Sequence, residues 1–306
     1  MALPELSPGL KQTIPMNSQT ESILFIGHGE WSRKVSSIIV ASGSRLEPVV
    51  ISARDYLDNE RAALPKGMNL EDFKFIWITT FPDVQLDILK KLRGLKSKII
   101  LEKPLALTIE DIQQLTAIIP KMKSLVYLSQ PWTFSNLWES ARTQISGYLE
   151  DLEIHSVRQG ELQREVISPG LDWLPHDLYL LASLMQSKGL KNDELNLLAL
   201  RGSSTQVFLD YQLGAYVRLS LKAGKSETRR ANWSISANAQ ALLEIDFDSK
   251  RITKKDGNVD LIENFDSDNP IINMLESYGA YDSDVNWGLI LKLYSDAVIA
   301  VSGEQR

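Results

Sequence analysis

Short apolar runs alternate with amphipathic stretches from Ser22 onward. Residues 23–26, ILFI, end at Gly27, and the following SRKVSSIIVAS sets Val35, Ile38 and Ile39 on one helical face, the periodicity of strand, turn and helix. Apolar runs recur at 48–53 (PVVISA) and 73–80 (FKFIWITT), the second followed by the turn-forming Phe81-Pro82-Asp83. VQLDILKKL then reads as a helix, KIILEKP at 98–104 as a strand, TIEDIQQLTAII as a helix N-capped by Thr108, and SLVYLSQ as a further strand. Strands separated by helices of about ten residues, without hairpin turns, predict right-handed crossovers and an α/β domain on a doubly wound parallel sheet. This domain is expected to span 22–130, behind a tail, 1–21, that holds three prolines.

The order changes beyond residue 131. A helix at roughly 134–148 precedes strands at 152–162, 196–201, 204–211, 215–222, 231–237 and 241–247, with the helix PHDLYLLASLM between the first two. Turn residues such as Leu213-Gly214 between successive strands predict an α+β domain, 131–306, around a large, mostly antiparallel sheet. Helices at 269–278 and 286–301 close the chain, and the last is free to pack back on the first domain.

With 306 residues and 43% hydrophobic content, each domain can bury a core of its own. The formal charge of -6 opposes the basic surface that nucleic acid or an anionic membrane requires, so the expected partner is a small molecule. The chain has no cysteine, which excludes disulfides, thiolate nucleophiles and Cys-ligated metals. A reducing, cytoplasmic setting and no metal site are expected. No segment has the long uncharged apolar run of a membrane span.

Gly27-His28-Gly29-Glu30-Trp31-Ser32 lies between the first strand and its helix, where a dinucleotide pyrophosphate would meet unpaired helical N–H groups. Ser32 stands where the glycine fingerprint has its third glycine. Arg33 and Lys34 bring two cations into the first helical turn, either for phosphate or as solvated surface charges. The second strand ends Ser52-Ala53-Arg54-Asp55; Ser52 and Arg54 suit a 2'-phosphate and lean toward NADP, whereas Asp55 leaves NAD open. Thr79, Thr80 and Phe81, at the end of the third strand, and Glu102 and Lys103, at the end of the fourth, fall on the same crevice and are assigned to the cofactor.

Lys103 at a parallel strand's carboxyl end can hold a substrate hydroxyl and stabilise charge as hydride moves. Whether Pro104 is cis stays open. Of the three histidines, His28 lies in the phosphate loop and His155 within a strand. His176 follows Asp172 by four residues, with Pro175 suited to the first turn of the next helix. An imidazole beside a carboxylate can exchange the carbinol proton; the alternative is that Asp172 and Asp177 cap the helix while His176 packs beneath it.

Together these residues resemble the Gfo/Idh/MocA oxidoreductase family, named for glucose-fructose oxidoreductase and inositol dehydrogenase, over roughly residues 22–303. The resemblance rests on LEKPLALTIEDIQQL, on the Asp172–His176 spacing leading into HDLYLLASLM, and on the closing helices NPIINMLESY and GLILKLYSDAVIAVSG. It implies a Rossmann domain followed by a larger sheet domain, with nicotinamide between them. It further implies that Lys103 contacts substrate and cofactor, and that Asp172 and His176 bind the reacting hydroxyl and shuttle its proton. Sugars, cyclic polyols and their derivatives are the implied substrates, and a homodimer or homotetramer the implied assembly. Gln130, Trp132 and Trp173 are placed at the substrate. The chain departs from the family in having Gln85 where histidine is frequent, Leu174 between the paired Asp and His, only Pro169-Gly170 before them, and Gln130-Pro131-Trp132-Thr133 where Asn and Arg are common. The main rival reading is a cofactor-binding regulator without catalysis. A third is a reductase of a non-sugar carbonyl or conjugated ligand, suggested by Trp132, Phe134 and Trp173.

Overall fold

Strands buried on both faces read as near-continuous apolar runs, and the first half of the chain follows this at Ile23–Ile26, Phe75–Ile78 and Ile99–Leu101. The computed structural model describes residues 21–146, 148, 151–161, 167–214, 217–256, 259–280 and 285–303. Its first half runs β1 (Glu21–Ile26), α1 (Glu30–Ala41), β2 (Leu46–Ile51), the short α2 (Ala53–Asp58) and α3 (Glu60–Ala63), β3 (Phe73–Ile78), α4 (Pro82–Lys91), β4 (Lys98–Leu101), α5 (Ile109–Ile118) and β5 (Val126–Leu128). These strands pair in parallel in the order β2-β1-β3-β4-β5. Thr108 caps α5 as expected, its hydroxyl accepting the Asp111 N–H.

The second half continues with α6 (Asn136–Ser146), β6 (Leu152–Gly160), α7 (Pro169–Asp172), α8 (Leu174–Ser187), β7 (Leu195–Gly202), β8 (Gln206–Leu213) and β9 (Val217–Lys225). Then come β10 (Arg230–Ala237), β11 (Gln240–Asp246), β12 (Arg251–Asp256), β13 (Val259–Asn264), α9 (Pro270–Ala280) and α10 (Trp287–Ser302). The strands form one sheet in the order β13-β12-β11-β10-β6-β9-β8-β7, antiparallel except where β6 meets β9. The expected fold class is therefore the observed one. The strands expected at 204–211 and 215–222 lie two residues later, and β12 and β13 were not expected. RITKKD and VDLIEN mix charge with aliphatic residues, and β13 is exposed along its whole length at the sheet edge.

Alternation sorts the first sheet's side chains between two cores. Leu24, Ile26, Ile76 and Ile78 share one with Leu86 and Leu89 of α4 and Leu115 of α5. Ile23, Phe25, Phe75 and Trp77 share the other with Val35 and Ile39 of α1 and, from the far end of the chain, Met274, Leu275 and Tyr278 of α9. Helix α10 also reaches back, packing on α5 and accepting the Leu105 N–H on the Tyr294 hydroxyl at 3.1 Å. Among the described residues no helix is long and apolar enough to cross a membrane.

Candidate active site

Strand order turns back between β1 and β3, the place where open α/β sheets take ligands outside their strand carboxyl ends. Gly27 closes β1 with φ +126°, and a Cβ there would lie 2.6 Å from Thr79 Oγ1 and 2.8 Å from the Thr79 carbonyl oxygen. Only glycine fits that crossing. The Thr79 hydroxyl donates to the Gly27 carbonyl at 3.0 Å, clasping the two strand ends together. Gly29, the N-cap of α1, has nothing within 4 Å of where a Cβ would stand, so the helix's unpaired N–H groups face open ground. Ser32 is buried and donates to the Gly29 carbonyl at 2.9 Å. His28, Glu30, Arg33 and Lys34 are exposed, and Lys34 stands 5.8 Å from the Trp31 ring centre. Farther along the edge, Ser52 caps α2 by accepting the Asp55 N–H, while Arg54 is exposed and makes no ion pair among the described residues. Thr80 donates to the Phe81 carbonyl, and Phe81 is exposed at the start of α4.

The Glu102-Lys103-Pro104 turn is held from several sides. Gln85 of α4, buried, donates through Nε2 to the carbonyls of Thr80, Glu102 and Pro104 at 3.2, 3.0 and 3.2 Å, and its Oε1 accepts the Glu102 N–H at 3.1 Å. Glu102 is buried, and one carboxylate oxygen accepts the indole N–H groups of Trp31 at 2.6 Å and Trp77 at 2.9 Å. Burial pushes its carboxyl pKa above the usual value, against hydrogen bonds from Ser129, Trp31 and Trp77 and the charge of Lys103. The Lys103–Pro104 peptide is cis. Behind it the Tyr179 and Tyr294 rings lie 6.5 Å apart, and burial raises both phenols. Gln85→Leu keeps the volume but takes the amide from the Thr80, Glu102 and Pro104 carbonyls, whereas the Glu102 N–H keeps the Ile78 carbonyl at 3.2 Å. It is expected to cost about 2–3 kcal/mol in urea unfolding, the cost of orphaned buried polar groups; an unchanged midpoint would show that the turn holds itself.

Lys103 reaches the second domain. Its Nζ donates to Asp172 Oδ1 at 2.7 Å and to the Asp172 carbonyl at 3.0 Å, with the Asp172 side chain buried and that of Lys103 22% exposed. His176, half-buried in the first turn of α8, senses the same ammonium: burial first, then the charges of Lys103, Arg158 and Arg229, push its imidazole well below its usual pKa. The structure thus joins Lys103 to Asp172 directly, with His176 four residues on at the start of α8.

The capping alternative fails for both acids, since Asp172 turns to Lys103 and Asp177 turns inward. Fully buried, Asp177 accepts from Ser156 Oγ at 2.7 Å, Arg158 Nε at 2.8 Å and Trp233 Nε1 at 2.8 Å. Trp173 lies against Gly160 at the end of β6, where a Cβ would sit 3.6 Å from its ring. Trp132 meets Phe247 edge-on at 5.6 Å. Gln130, by contrast, is tied by its amide to the Tyr278 hydroxyl of α9 at 3.2 Å. His155 is exposed. Sequence reasoning missed Gln85 and Arg158 as parts of the site. Their signal is a polar residue at a core position: Gln85 within the apolar period of α4, and Arg158 on the inward parity of Leu152, Ile154 and Ser156.

No family model matches the chain, and no curated protein matches its sequence. Solved structures do match its fold. A UDP-N-acetylglucosamine 3-dehydrogenase from Acidithiobacillus ferrooxidans superposes with a TM-score of 0.70 at 14% identity, over 92% of this chain and 98% of that one. A 3-ketoreductase from Actinomadura kijaniata, in complex with TDP-benzene and NADP, gives 0.68 at 11% identity over 93% and 97%. A Gfo/Idh/MocA family oxidoreductase from Vibrio cholerae gives 0.60 at 16% identity over 92% and 96%. The likeness is one of fold, and the fold is the one that the motifs of this sequence resemble.

Proposed function

We propose that the chain is an NAD(P)-dependent oxidoreductase that interconverts a carbinol and a carbonyl on a sugar, a cyclic polyol or a derivative of either. The observation that carries this reading is the 2.7 Å contact of Lys103 with Asp172, at the carboxyl edge of a parallel sheet and with His176 alongside. The groups present fit a dinucleotide: Gly29 leaves room for phosphate before α1, and a side chain at Gly27 would close the turn. Gly27, His28, Gly29, Glu30 and Trp31 would hold the pyrophosphate; Ser52 and Arg54 the adenosine ribose, with a lean toward NADP; and Thr79, Thr80, Phe81, Glu102 and Lys103 the nicotinamide end. Nicotinamide, when bound, supplies or accepts a hydride. Lys103 donates to the substrate oxygen and stabilises its developing charge. Asp172 aims that ammonium. His176, held neutral, accepts the carbinol proton on a ring nitrogen. The UDP-N-acetylglucosamine 3-dehydrogenase that shares the fold supports the substrate class.

The test is nicotinamide absorbance during incubation with a panel of sugars, cyclic polyols and their acid and nucleotide derivatives. Turnover with at least one member is expected. Because the imidazole pKa is lowered, His176 remains a proton acceptor as pH falls, so the acid limb of the oxidation profile should lie below pH ~6.5. A limb at or above that value would remove His176 from the role, and cofactor binding without any turnover would favour a regulator.

A further inference from the structure

Arg158 stands on β6 among residues that face the helices and is 6% exposed. Its Nε is committed to Asp177, and its guanidinium carbon sits 5.0 Å from the Phe247 ring centre. Phe247 in turn meets the edge of Trp132. Of its two terminal nitrogens, Nη2 is buried and has no hydrogen-bond partner. Asp177 already receives three donors, from Ser156, Arg158 Nε and Trp233. A guanidinium offers five donors in a rigid fork suited to oxyanions, and a buried donor without an acceptor in a native protein calls for an explanation. Position supplies one. Gly160 shares the inward face of β6 with Arg158 two residues on, and Trp173, next to Asp172, lies against it; the Arg158 charge also acts on the His176 imidazole. Arg229 adds a second cation nearer solvent, tied to Asp248 at 2.7 Å, with its backbone beside Gly160 and hence close to Trp173.

We propose that Arg158 is a specificity residue, whose free Nη2 edge receives an oxyanion carried by the substrate, so that acidic sugar derivatives are selected over neutral sugars. This rests on the oxidoreductase reading above and deepens it by naming the substrate class. Carboxylate and phosphoryl oxygens present the same chemistry to the fork; D-glucuronate and D-glucose 6-phosphate tell them apart.

The experiment is calorimetric titration of the full chain, with and without NADPH, using D-glucuronate, D-glucose 6-phosphate and D-glucose. At least one anion should bind tenfold or more tighter than glucose. Arg158→Lys keeps a cation for Asp177 but loses the fork; it should reduce that preference to less than threefold while leaving NADPH affinity unchanged. Equal binding of all three sugars, no binding of either anion, or a preference that survives in R158K overturns the proposal. Should R158K not fold, the wild-type comparison decides alone. A retained anion preference without nicotinamide turnover with any substrate would instead count against the oxidoreductase reading.

Discussion

Lys103→Met lowers turnover by about a hundredfold with a much smaller change in KM, in the assay of whichever panel member reacts. The expectation follows from donor arithmetic. An ammonium has three N–H donors, and Asp172 takes two of them, through Oδ1 and through its carbonyl. The third has no partner among the described residues, on a side chain still 22% exposed, and it can meet a substrate oxygen without reorganising. Removing one preorganised donor from a developing oxyanion typically costs ~10²–10³ in turnover. Methionine matches the stem and deletes only the charge and its donors. Arginine is a poor control, because its planar fork cannot reproduce a compact ammonium against a carboxylate and a carbonyl at once. A kcat within threefold of wild type, in a variant that melts normally, would end the assignment.

The second large effect is structural. Asp177→Ala leaves the Arg158 guanidinium buried without its counter-charge and strands the Ser156 hydroxyl and the Trp233 indole N–H. Breaking a buried pair by removing one partner costs about 3–5 kcal/mol, which for a chain of this size lowers the melting temperature by roughly 10 °C. Asp177→Asn, which keeps one oxygen acceptor, should fall between Ala and wild type. Replacing both residues by apolar ones, as in Arg158→Met with Asp177→Leu, should recover part of the loss, since no orphaned charge remains. A melting point within about 2 °C of wild type for D177A would mean that the Arg158 charge does not depend on Asp177 for its compensation.

Much of the site was legible because its elements are local. The Gly27–Gly29 loop shows itself by glycines between an apolar run and a helix, and the Lys103 turn by its place after KIIL. Both belong to a parallel sheet whose strands must be apolar on both faces. The hairpin of β12 and β13 was not legible for the converse reason. An edge pair that buries little of its surface needs no apolar alternation, so Arg251–Asp256 and Val259–Asn264 resemble solvated loop. Gln85 was visible only as a departure from a family pattern; that one amide ties Thr80, Glu102 and Pro104 depends on where α4 lies over β4.

The order of apolar runs along this chain determined that it would form a parallel sheet and then a mostly antiparallel one, and which loops end at the ligand edge, because strand and helix periods are local properties of neighbouring residues. Tertiary structure alone decided that α9 covers the first sheet, that Lys103 closes on Asp172 across 69 positions, and that Arg158, paired with Asp177, keeps an unspent buried donor. Those outcomes depend on packing between segments distant in sequence, where burial and charge must be settled together, and no local period records that settlement.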